Sequence, residues 1–185
     1  MADKREQIEA AAADAIRKSG LNSVSFRTLA DEVGVKSSSV HYHFPTKADL
    51  ARSVVDAYTD GFVERLAEIE RRQDSLVGKL DGVIDVFAEV TAADTLCLCG
   101  MMSAELATLD ESTRMALRNF YERFGTWLMR VFDQHADELE GGMDGKTLAQ
   151  IFIAGLEGAA LVDRTHGSQE SLDSFRALAR ALAAR

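Results

Sequence analysis

The segment VKSSSVHYHFPTK, Val35 to Lys47, places three adjacent serines, two histidines, a tyrosine and a threonine between lysines and holds no acidic residue. Hydroxyl, imidazole and ammonium donors without a competing carboxylate suit the holding of phosphate oxygens. They do not suit a metal. His41 and His43 are two residues apart, so on a helix they point about 200° away from each other. Cys97 and Cys99 have the same spacing, and the chain has no third cysteine for a zinc site or a disulfide framework. Buried, reduced thiols are expected, with a cysteine-based sensor of oxidants or electrophiles as the alternative. Phosphate-cradling glycine loops, histidine pairs at i, i+4 and usable Ser/His/Asp sets are missing from the sequence. No catalytic residue, cofactor or metal is therefore expected, and a helical enzyme or ligand carrier is the weaker reading.

The net charge of -9 would by itself argue against a polyanionic partner. It is unevenly spread. Residues 1–50 carry seven Lys/Arg and seven Asp/Glu, so all of the excess lies beyond residue 50. The start, MADKREQIEA, lacks the apolar core of a secretory leader, and charged residues interrupt every apolar run well short of the 18–20 residues that span a bilayer. A cytoplasmic chain without a membrane partner is expected.

Helical spacing dominates the elements that must position Val35 to Lys47. Ile8, Ala11, Ala12, Ala15 and Ile16 predict an amphipathic helix from about residue 3 to Lys18, ended by Gly20. Ser25 suits an N-cap, and Phe26, Leu29, Ala30 and Val33 give two turns before Gly34. A short third helix over 37–44 buries Val40 and Phe44 and stops at Pro45, the only proline. One of its serines is expected to cap it. Thr46 then caps a long helix reaching about Arg72. Two short helices around a glycine turn form a helix-turn-helix, whose second helix enters the major groove of DNA. Five more helices follow, over 76–93, 96–108, 111–139, 144–164 and 169–183, with Gly141-Gly142 and Asp144 punctuating the last break but one. The expected fold class is all-α, about nine helices, with residues 1–50 as a helix-turn-helix DNA-binding head and 51–185 as a separate helical body.

The run TLADEVGVKSSSVHYHFPTKADL resembles the DNA-binding head of the tetracycline-repressor (TetR) family of bacterial transcription regulators. Thr28-Leu29-Ala30, Gly34-Val35, Val40-His41-Tyr42-His43-Phe44, Lys47 and Leu50 carry the resemblance, which covers about residues 5–55. One position departs, His41, where the family usually has tyrosine. The resemblance implies phosphate-backbone contact by Tyr42, Thr46 and Lys47, and base-edge or groove-floor contact by Lys36, Ser37, Ser38 and Ser39. Arg27 is a candidate clamp on a flanking phosphate, and His41 a weakened contact. This face has no Arg, Asn or Gln to make bidentate base contacts, so DNA shape and two-fold repetition of the site must supply much of the selectivity.

A head with so few contacts needs a second copy, with half-sites about 34–36 Å apart or a multiple of that. The last two helices are the candidate dimer interface, through Leu148, Phe152, Gly155, Ala159, Phe175, Leu178 and Leu182. The resemblance implies a four-helix bundle there; packing inside one chain is the alternative. The middle helices hold Phe87, Met101, Met102, Phe120, Tyr121, Phe124 and Trp127. Most such residues must be core, but methionine and aromatic side chains also suit an adaptable pocket, and the resemblance implies a small-molecule inducer bound among them. Glu105 is either a polar anchor in that pocket or a surface carboxylate. The segment CLCGMMSAELATL, Cys97 to Leu109, is similar to that helix in a subgroup of the same family. The whole implies a repressor released from palindromic double-stranded operator DNA by an apolar or amphipathic inducer.

Overall fold

The computed structural model describes residues 3–139 and 142–183. Among them are nine α-helices: α1 Lys4–Ser19, α2 Phe26–Val33, α3 Ser37–His43, α4 Lys47–Arg72, α5 Leu76–Ala92, α6 Leu98–Ala104, α7 Glu111–Gln134, α8 Gly145–His166 and α9 Glu170–Leu182. The all-α expectation holds for these residues. Two predicted helices end earlier than their spacing suggested. After α6 the chain breaks at Glu105 and resumes as a 3-10 turn, Leu106–Thr108; α7 likewise gives way at His135 to a 3-10 turn, Ala136–Glu138. Gly141, expected to help separate α7 from α8, lies outside the described residues.

Packing divides the chain into two units, one made of residues 1–61 with 97–120, the other of 62–96 with 121–185. In the first, Ile8, Ala12 and Ile16 of α1 are fully buried against Leu29, Val40 and Phe44, and Leu50, Val54 and Val55 of α4 extend the same core. Phe26 and Val33, which share the apolar spacing of Leu29 and Ala30, are only half-buried. Burying each such aliphatic side chain is worth about 1.5–3 kcal/mol, so a core of this size suffices to hold three short helices. Ser25 caps α2, its hydroxyl accepting the Thr28 N–H at 3.2 Å. Both cysteines are buried in this unit, and the Tyr58 hydroxyl donates to Cys97 Sγ at 3.7 Å.

In the second unit α5 packs on α8 and α9. Phe124 meets Phe62 edge-on at 4.9 Å between ring centroids and stacks on Phe87 at 6.4 Å. A second ring series runs Phe132–Phe152–Phe175 across α7, α8 and α9. Gly155 is required under the last ring, because a Cβ there would collide with it. The α8–α9 corner is held by Asp163, which has no exposed surface. Its carboxylate accepts the Ser171 N–H at 2.7 Å and the Leu172 N–H at 2.9 Å, and so caps α9. Burial alone would raise its pKa; the Leu172 and Ser171 donors outweigh that and hold it below the ordinary aspartate value. Asp81 binds Arg176 and Arg180 of α9, which ties that helix to α5.

Candidate nucleic-acid interface

Gly34 makes the turn between α2 and α3 with φ 69° and ψ 42°, the left-handed conformation that disfavours side chains, and Val35 N–H returns to the Ala30 carbonyl at 2.9 Å. That turn aims α3 so that Val40 and Phe44 face inward and the opposite side is open. Lys36, Ser37, Ser38, His41 and Tyr42 are exposed, Ser39 and His43 half-buried, and Tyr42 is 83% exposed. The structure thus brings most of the sequence-predicted contact residues onto one surface. Arg27 is also exposed, on the first turn of α2.

Three details differ from the sequence expectation. Lys36, not a serine, is the N-cap of α3, and none of the three serine hydroxyls has a hydrogen-bond partner among the described residues. All three remain available to a ligand. Thr46 is instead engaged: its hydroxyl donates to Asp49 Oδ2 at 2.7 Å and accepts the Asp49 N–H at 3.1 Å, a reciprocal cap on α4. As placed, Thr46 directs no hydroxyl proton at a phosphate, and a carboxylate sits beside it. His41 packs its ring edge-on against Phe26 at 4.6 Å. The residue that departs from the family pattern therefore braces α3 against α2.

The candidate ligand residues are divided between the two units. Met101, Met102, Glu105 and Phe120 belong to the first unit, and Phe87, Tyr121, Phe124 and Trp127 to the second. Met102, Phe87, Phe120 and Phe124 are buried, and the Trp127 indole N–H donates to Glu70 at 3.2 Å. Glu105 faces backbone, accepting the Asn22 N–H at 3.1 Å. The second unit does hold an open cavity of about 660 Å³ between α7 and α8, lined by Tyr121, Gly125 and Met129 on one side and Lys146, Ile153 and Glu157 among those on the other. Tyr121 alone of the predicted set lines it.

The candidate dimer residues split as well. Leu148 and Phe152 are buried within their own unit, turned inward by α5 and the ring series. Gly155, Ala159, Phe175 and Leu182 are half-buried. The outward apolar residues are Ile151, Leu161 and Val162 of α8 and Leu178 of α9, between 45% and 55% exposed. By length and composition α8 could cross a membrane, with 33% of its apolar stretch buried.

Residues 8–54 match the family model described as bacterial regulatory proteins, tetR family. A TetR transcriptional regulator from Legionella pneumophila is 28% identical, with a TM-score of 0.90 over 98% of this chain and 97% of that one. The matched head, residues 8–54, belongs to the TetR family, and the whole chain is similar in fold to regulators of that family. A TetR-family regulator from Agrobacterium tumefaciens is 26% identical, with a TM-score of 0.92 over 98% of each chain. The nucleoid occlusion factor SlmA of Marinomonas sp. (strain MWYL1) is 25% identical across 84% of this chain and 80% of that protein. The family match of the head and the likeness of the whole chain to these regulators make it a DNA-binding transcriptional regulator rather than an enzyme. The structure also shows what the motif could not supply. Arg5, on α1, sits 5.0 Å over the Phe44 ring and donates to Ser53 at 2.8 Å, holding the end of α3 to α4. No local sequence signal pairs residues so far apart.

Proposed function

We propose that two copies of the chain bind a palindromic operator through their α3 faces, and that a small apolar or amphipathic inducer lowers this affinity. Residues 1–50 act as the DNA-binding domain, and 51–185 as the ligand-binding and dimerisation domain, in the cytoplasm. The observation that carries the reading is the exposed face of α3, rich in donors and free of carboxylates, in a chain that is otherwise acidic. Lys36 and the unpartnered serines supply groove contacts; Tyr42, Lys47 and Arg27 supply phosphate contacts.

The two copies meet through the outward apolar residues of α8 and α9. Gly158 lies on the same exposed side, and nothing stands within 4 Å of where its Cβ would be, so helix axes can approach closely there. Gly155, Ala159, Phe175 and Leu182 form the edge of the contact. The inducer occupies the α7–α8 cavity, whose apolar floor and flanking Lys146 and Glu157 suit an amphipathic molecule. Its binding shifts α4 and with it the spacing of the heads, which is a change in the preferred state rather than a block of the DNA face. A mobility-shift assay on the chain's own promoter region tests the core of this. Specific retardation that an unrelated duplex does not compete away is expected; absence of any specific complex at low salt would overturn it.

A further inference from the structure

The connection between α1 and α2 is a stiff turn. Gly20 ends α1 with φ 80°, the Ser23 hydroxyl donates to the Gly20 carbonyl at 2.8 Å, and the Val24 N–H donates to the Leu21 carbonyl at 3.0 Å. Leu21 and Val24 are both buried, so the turn cannot move without moving its anchors. Only Asn22 and Ser23 project outward, and the peptide groups of Asn22 are held from two directions. Its N–H donates to Glu105 Oε2 at 3.1 Å, and its carbonyl accepts from Lys47 Nζ at 3.4 Å.

Glu105 is placed for this by its own backbone. It closes α6, and its carbonyl accepts both the Thr108 N–H and the Thr108 hydroxyl at 2.9 Å, which fixes the break that turns its side chain toward the head. Gly20 leaves the space: a Cβ there would collide with the Glu105 carboxylate. Lys47, the first residue of α4, has three ammonium donors. One is directed at Asn22, which aims the group and leaves two for a phosphate.

We propose that Glu105 is a positioning residue for DNA binding: through the two peptide groups of Asn22 it sets where the Lys47 ammonium stands. The inference rests on the regulator reading above and adds to it a connection from α6 to a phosphate contact. Glu105 needs no part in inducer binding for this, and its carboxylate touches no DNA.

The test is a double-mutant cycle on the full chain. Glu105→Ala, Lys47→Ala and the double variant are titrated against a fluorescein-labelled 30-base-pair duplex obtained by selection with the wild-type protein, with anisotropy as the readout and thermal melts alongside. Glu105→Ala is expected to weaken binding about fivefold, the effect of losing one ordinary hydrogen bond. In the Lys47→Ala background the same change is expected to cost nothing, because the group it positions is gone. Glu105→Gln, which keeps an acceptor, serves if the alanine variant does not fold; a smaller loss is expected, again cancelled by Lys47→Ala. Unchanged affinity in a Glu105 variant, or losses that multiply with that of Lys47→Ala, would overturn the proposal. If selection with the wild-type protein enriches no duplex, the regulator reading itself fails, whatever Glu105 does.

Discussion

Two surfaces of the molecule leave their chemistry unsatisfied within one chain, in opposite ways. The α3 face exposes hydroxyls, a lysine and Tyr42 at 83%, with a small apolar core directly behind it. The outer side of α8 and α9 exposes Ile151, Leu161, Val162 and Leu178 instead, each about half open to water. A polar surface of that kind costs little to leave in water and gains by meeting phosphate. An apolar one loses about 25 cal/mol for every Å² left exposed and gains by meeting its own copy. One surface therefore needs a partner for function, the other for stability, and the second limits the first because a single small head binds DNA weakly.

Breaking the apolar surface should have the largest effect. Ile151→Glu with Leu178→Glu is expected to give a monomer by light scattering and to lower operator affinity at least about a hundredfold, since two linked heads become one. A variant that stays dimeric would place the interface elsewhere. Next comes the corner that supports that surface. Asp163→Ala leaves the α9 donors unpaired and should cost about 2 kcal/mol in urea denaturation. Because the folded-state pKa of Asp163 is lowered, its stabilisation is present above the ordinary aspartate range and is lost as pH falls through the lowered value. The alanine variant should accordingly lose less stability on acidification than the wild type. Asp110, brought down to about 2 first by the Ser112 and Thr113 hydroxyls, titrates with the same sign at the start of α7 and remains in both proteins.

On the polar surface, Lys36→Ala should weaken specific binding about tenfold, and the loss should be smaller on unrelated DNA if Lys36 reads base edges. Arg27→Ala should act alike on every sequence and flatten the salt dependence by about 0.9 for each phosphate contact removed. The smallest effect belongs to Ser37→Ala with Ser38→Ala, a change of about two- to threefold in operator preference, read by competition between related duplexes. No change in preference would remove the serines from the groove contacts.

The head was legible because its signals are local. Ser25, Gly34 and Pro45 mark helix ends by backbone chemistry that acts within a few residues, and the observed ends follow them. The apolar repeat named Ile8, Ala12, Ile16, Leu29, Val40 and Phe44 correctly because a short helix on a small core has one inward side. The body was less legible for the opposite reason. In α8 apolar residues lie on most sides, so spacing could not say which of Leu148, Ile151 and Phe152 faces outward; packing on α5 and α9 decides that, and it turned Leu148 and Phe152 inward. The aromatic residues of the middle helices suited core and pocket alike, and Phe87 and Phe124 stack on each other in the core of the second unit. Asp163 gave no signal, and Glu105 was expected as a pocket anchor or a surface carboxylate, not as a partner of backbone. Each acts on backbone N–H groups, Glu105 across 83 residues of chain, and a peptide group has no sequence signature.

Sedimentation of the chain with a fluorescein-labelled duplex from its own promoter region joins both surfaces in one experiment. At about 50 mM salt, where phosphate contacts are strong, the expected complex holds two chains per duplex, about 40 kDa of protein or twice the 20.2 kDa chain, and dissociates steeply as salt rises. A duplex that sediments unchanged, or one that binds a single chain with no second chain following, would contradict the pairing of an α3 DNA face with an α8–α9 dimer.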